Sequence, residues 1–207
     1  MSALSLTDHR PTPGPTDVAP LAEFRLAVGR VHELCGPARH TAAMLVAGAM
    51  AGPVFWVQPG WEVAHLSGDG IAPFMAPGRV TFVSPKRSED VFWSTEEVLK
   101  AGCVPLVVAD LPGPPGLTAV RRLHLAAEAS GARPLGLILT PGDGGAPGVE
   151  TRWHMAPRHS ATKRGWHLQR RRARMAPEKA WDILHDKGVF RMTSSITAET
   201  TSQIEPN

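Results

Sequence analysis

No apolar run in this chain of 207 residues reaches the length of about 20 needed to span a bilayer. The opening residues show no basic stretch followed by an apolar one, so no secretory signal is read there. Cysteine is scarce: only Cys35 and Cys103 are present. Each falls in an apolar, strand-like context that predicts a buried free thiol rather than a metal ligand. Among the histidines only His154 and His159 approach a metal-type spacing, and two ligands do not make a zinc site. There is no nucleophile elbow, no Ser-His-Asp pattern and no internal repeat. These absences predict a cytoplasmic protein with no metal site and no catalytic residue.

Apolar residues make up 43% of the chain, so a packed domain is expected. Residues 1–20 are proline-rich with little to bury and are expected to be disordered. Residues 181–207, polar toward the end, are expected to be mostly disordered as well. That leaves a domain over residues 21–180. The net charge of +3 hides an asymmetry. Residues 150–191 hold 11 Lys/Arg against 4 Asp/Glu, whereas residues 1–149 hold 11 against 13. The basic character belongs to one C-terminal segment.

Strand-like and helix-like segments alternate. Arg30–Leu34 reads as a short strand, and Pro53–Pro59, Arg79–Pro85, Val104–Pro112 and Pro134–Thr140 read as apolar strands. His40–Ala51, Ser88–Gly102 and Leu117–Ala132 read as helices, with Ser88 and Thr118 as caps and Gly102 and Gly131 as stops. Fully apolar strands in β-α order predict an α/β fold with a mainly parallel sheet flanked by helices. After the glycine-rich loop Pro141–Gly148, Glu150–Pro157 and Gly165–Pro177 read as antiparallel C-terminal edge strands. Alternation places Trp166, Leu168, Arg170, Arg172 and Arg174 on one face of the second, with Arg171 on the other. Trp56, Trp93 and Trp153 are expected in the core, and Trp61, in a loop, at the surface.

The segment from Val31 to Met50 reads as a strand, a glycine turn and the opening of a helix, where a phosphate-binding loop would sit. Such a loop needs G-x-x-x-x-G-K-[S/T]: glycines to turn backbone N–H groups toward phosphate, lysine for charge, a hydroxyl for Mg²⁺. On that frame Gly36 is the first glycine, and Thr41, Ala42 and Ala43 stand where glycine, lysine and the hydroxyl belong. Arg39 or His40 would have to supply the missing charge. Asp110 ends an apolar strand, where it is either a Mg²⁺-coordinating acid or a turn cap. The pattern predicts either a degenerate nucleotide loop or a turn that never held nucleotide, with neither ATP nor Mg²⁺ as a cofactor. The basic run Arg170–Arg174 is either a DNA-phosphate or partner contact, or a charged edge that prevents sheet-to-sheet pairing. Arg121 and Arg122 are either contacts to DNA or a neighbouring subunit, or a helix-surface charge pair. Trp61 is a candidate interface anchor.

The segments Gly29–Ala38, Pro53–Pro59, Ser88–Leu111, Leu117–Thr140, Glu150–Pro157 and Trp166–Arg174 resemble the ImuA family, RecA-like accessory proteins of bacterial mutagenic repair related to the SulA division inhibitors. The resemblance covers about Phe24 to Arg174. It implies a RecA-like, P-loop NTPase-type fold and a part in SOS-induced translesion DNA synthesis. The companions it implies are an ImuB-like Y-family polymerase homologue, an error-prone DNA polymerase and RecA. Many members keep a fuller phosphate loop, and this chain departs from them at Thr41, Ala42 and Ala43. A divergent ATPase and a SulA-like inhibitor are the alternatives the resemblance leaves open.

Overall fold

Apolar strands and amphipathic helices of this kind bury their faces against one another, and here they do so as a sheet with helices on both sides. A computed structural model describes residues 16–62 and 65–195. A hairpin comes first, β1 (Asp17–Leu21) and β2 (Phe24–Ala27). Then follow β3 (Val31–Cys35), α1 (Arg39–Gly48), β4 (Val54–Val57), the single turn α2 (Gly68–Ile71) and β5 (Val80–Val83). Next come α3 (Ser88–Ala101), β6 (Leu106–Asp110), α4 (Leu117–Ala129) and β7 (Leu135–Thr140). The chain closes with β8 (Thr151–Pro157), β9 (Arg164–Ala173), β10 (Lys179–Asp186) and β11 (Val189–Ser194).

Strands β3 to β11 form one nine-stranded sheet in the order β11-β10-β9-β8-β3-β7-β6-β4-β5. The pairs from β8 to β5 are parallel, and β8-β9-β10-β11 are antiparallel. The mainly parallel sheet, its flanking helices and its antiparallel C-terminal edge are as the sequence predicts. Helix α1 and the β1–β2 hairpin pack on one face, around Phe24, Leu34, Trp56, Trp153 and Trp181. Helices α3 and α4 pack on the other, around Val31, Val107, Leu123 and Ile138. Six consecutive residues of α1, Ala42 to Ala47, are buried. Small side chains let that helix lie close to the sheet.

Several expectations are corrected. Residues 17–20 are paired in a strand, with Val18 packed on the core. Residues 181–194 are also ordered in strands. The strands on either side of Lys187-Gly188 turn Trp181, Ile183, Phe190 and Met192 inward, and Lys187 and Gly188 are both at positive φ (48° and 79°), as a tight type I′ hairpin requires. Trp181 and Ile183 are 1% and 0% exposed, so this hairpin completes the core. Residues 1–15 and 196–207, where disorder is also expected, lie outside the described residues. Ser88 is the first helical residue of α3 rather than its cap; Arg87 precedes it and forks onto Asp90 at 3.0 and 3.1 Å. Thr118 lies inside α4, whose cap position is Gly116. Trp93 is 59% exposed, on the side of α3 away from its buried Val91, Thr95 and Leu99, and Cys103 is exposed because it lies in the connection between α3 and β6 rather than in a strand.

Candidate functional site

The junction between β3 and α1 is three residues long, Gly36 to Ala38. A phosphate cradle uses eight residues, of which the last three open the helix. Here α1 begins at Arg39, so Ala42 and Ala43 lie a full turn inside it and are buried at 1% and 0% exposure. Thr41 turns instead toward a cleft bounded by Phe74 and Trp166. The backbone amides of the turn are spent inside the protein. Ala38 N–H donates to the Met155 carbonyl at 2.9 Å, and Arg39 N–H to the Gly36 carbonyl at 3.2 Å. Gly36 holds φ +90°, and a Cβ there would fall 2.5 Å from the Met155 carbonyl oxygen and 2.7 Å from His154 Nε2. Strand β8 therefore lies directly over the glycine.

The three other residues expected at this site do converge, but on one another. His40 Nε2 hydrogen-bonds Asp110 Oδ2 at 2.5 Å, and Arg39 Nε lies 3.7 Å from Asp110 Oδ1. The His40 ring also stacks on Trp56, with centroids 6.1 Å apart. Asp110 is thus hydrogen-bonded by His40 and faced by the Arg39 guanidinium. Side chains turned onto an internal carboxylate are not directed at a phosphate, and the carboxylate is not free for a metal. Among the described residues no group of three or more His, Cys, Asp or Glu is arranged to hold a metal ion.

A second polar centre lies beside this turn and was not legible as such in the sequence. Glu33, within β3, is fully buried. It accepts from Thr140 Oγ1 at 2.7 Å, from the Gly145 and Ala146 amides at 2.9 and 3.1 Å, and from Arg152 Nε at 2.5 Å. Arg152 also donates to the Ala146 carbonyl. The connection from β7 to β8 has no helix, and this carboxylate organises it by satisfying the amides of the glycine-rich loop. Gly144 is required there: it holds φ +74°, and a Cβ would lie 2.7 Å from Glu33 Oε1. An acid inside an apolar strand, followed by a glycine-rich loop and an arginine in the next strand, is the signal that marks it. Nearby Cys35 is buried and gives its S–H weakly to the Trp153 carbonyl. Burial, reinforced by Glu33, pushes its thiol up to about 12, so it is inert.

The basic strand does not form the single stripe expected. A bulge between Arg170 and Arg172 sets Arg170 opposite Trp153 and Arg172 opposite Arg152. Opposed residues share a face, so the two arginines lie on opposite faces of the sheet. Arg170 covers Trp153 and Trp181, 5.7 and 5.2 Å from their ring centroids, and donates to the Pro177 carbonyl. Arg171 donates to Asp143 at 2.7 Å and holds that carboxyl below its usual range. Arg172 and Arg174 are exposed. Of the α4 pair, Arg122 is bound to Glu96, while Arg121 is exposed without an acidic partner among the described residues. Arg158 pairs with Asp182 at 2.8 Å. Trp61 is 47% exposed, as expected.

On the same strands Ser195, His167 and Asp182 meet, yet they make no catalytic relay. Ser195 Oγ and Asp182 Oδ1 both approach the same ring nitrogen, Nδ1, at 3.4 and 3.1 Å. A relay needs the acid on one nitrogen and the hydroxyl on the other. Burial alone would raise the Asp182 carboxyl, but hydrogen bonds from His167 and Arg158 outweigh it and hold the group low. The chain matches no protein-family model and no curated protein.

Proposed function

We propose that the chain is a non-catalytic, RecA-like accessory protein of SOS-induced translesion DNA synthesis that acts by docking partners. The observation that carries the reading is the three-residue turn at Gly36, sealed by Met155 and backed by a self-contained Arg39–His40–Asp110 cluster. Support for the ancestry comes from the ImuA-like segments and from their arrangement. The strand before the turn, β3, lies in a parallel sheet, one strand removed from β6, which ends in Asp110. A divergent ATPase would use Arg39 or His40 on phosphate and Asp110 on Mg²⁺, and the geometry weighs against it because these groups are already paired. The expected partners are an ImuB-like Y-family polymerase homologue, an error-prone polymerase and RecA, with DNA as a further contact. A tagged chain recovered from DNA-damaged cells is expected to bring down the polymerase homologue and RecA. Recovery of neither would overturn the reading.

A further inference from the structure

The side of α4 away from the nucleotide-type turn carries an unclaimed surface. Leu117, Arg121 and Leu125 are spaced four apart and form one stripe along the helix. Leu117 and Leu125 are 47% and 64% exposed. Across a cleft of about 560 Å³ stands Arg174, just past the end of β9, followed by Met175 at 91% exposure. The cleft floor holds Arg30, which is engaged by Glu128 and lies 4.0 Å from Glu150. Those two acids are therefore committed. Among the described residues neither Arg121 nor Arg174 has an acidic or hydrogen-bonded partner for its side chain.

From this juxtaposition we infer that the cleft between α4 and the end of β9 docks an acidic amphipathic helix of a partner protein. Two guanidinium groups without acidic partners among the described residues favour carboxylates, and they line the cleft together with two large exposed apolar side chains, Leu117 and Leu125. A helix laid along α4 meets Leu117 and Leu125, about 12 Å apart, with apolar residues of its own two turns apart, and places acids between them for Arg121 and Arg174. Nucleic acid suits the cleft less well. Phosphates would satisfy the arginines but leave Leu117 and Leu125 facing water.

The inference deepens the docking reading above, on which it rests only for the idea that the chain works through partners. The test is fluorescence anisotropy of a labelled helical peptide of roughly 16 residues, long enough for four turns, with leucines at four-residue spacing and glutamates between. A scrambled peptide of the same composition is the control. The full chain is expected to bind the patterned peptide saturably and the scrambled one several-fold more weakly. Arg121→Glu with Arg174→Glu should weaken binding by about tenfold or more, and so should Leu117→Ser with Leu125→Ser, because both the charges and the apolar anchors contribute. The circular dichroism melts of these surface variants should stay unchanged. Equal binding of both peptides, or indifference to either variant pair, overturns the inference. So does a single-stranded oligonucleotide that competes with the peptide for these residues, or a concentration-dependent dimer lost in the same variants. Peptide failure alongside a successful recovery of partners from damaged cells would remove the cleft and leave the docking reading standing; the reverse would remove only the reading.

Discussion

His32 shows how far one residue in a strand departs from its ordinary behaviour. It is fully buried; its Nε2–H donates to the Ala27 carbonyl at 3.0 Å, and its Nδ1 accepts from the Thr151 hydroxyl at 2.7 Å. Thr151 in turn accepts from Trp153 Nε1. Burial lowers the ring to about 4, against a smaller opposing effect of the Ala27 bond. The sign follows from which state binds more protons. The unfolded chain takes up a proton near pH 6.5 and the folded one only near 4, so the contribution is complete above 6.5 and is lost as pH falls toward 4. At 1.36 kcal/mol per pKa unit this is roughly 3 kcal/mol, and His124, also lowered by burial, adds in the same direction. Urea unfolding at pH 7.5 and 4.5 should show this loss, and His32→Gln should lose much less over the same interval. Identical pH dependence of the two proteins would refute the assignment. Nothing in the sequence marks His32, since its neighbours alternate no differently from those of a solvent-facing histidine.

At the scale of elements, the decisive fact is where α1 starts. The sequence shows a strand, a glycine and an alanine-rich helix, and it shows that lysine and hydroxyl are missing. It also marks the helix from His40, within one residue of its start at Arg39, but it does not show that the turn before the helix is sealed. That depends on Met155 accepting the Ala38 amide, a contact between segments more than a hundred residues apart. The consequence is testable. Restoring the missing groups with Ala42→Lys and Ala43→Thr should not create a nucleotide site, because both positions face the core. The pair should cost about 3 kcal/mol or more, through overpacking and burial of an amine, read by chemical denaturation. A stable double variant that binds ATP would show that the turn opens. The bulge at Arg170–Arg172 was hidden for a similar reason. Simple alternation describes a strand until its partner imposes an extra residue, and Thr151–Pro157 is that partner. Glu33 escaped notice because its hydrogen-bonding loop lies over a hundred residues away.

For the whole molecule, the parallel centre was legible because β4, β6 and β7 are nearly continuous apolar runs with glycine or proline close by, although β3 beside them carries His32 and Glu33. The ends were not. Val18 and Leu21 are marginal apolar signals in a proline-rich segment, and they join the core through the pairing of β1 with β2, whose Phe24 meets Trp153. Trp181 and Ile183 flank Asp182 in β10, and their shared inward face is visible once Lys187-Gly188 is read as a turn. The molecule that results is a helix-flanked sheet extended by an antiparallel edge, with the turn at Gly36 closed by β8. The most direct measurement is calorimetric and thermal titration of the full chain with Mg²⁺ and ATP. A site at 100-fold its Kd would add about 2.7 kcal/mol to stability. With ATP at roughly that excess over a micromolar-range Kd, the expected result is a flat heat trace and an unmoved melting temperature. A saturable heat and a raised melting temperature, both abolished by Asp110→Ala, would contradict the account.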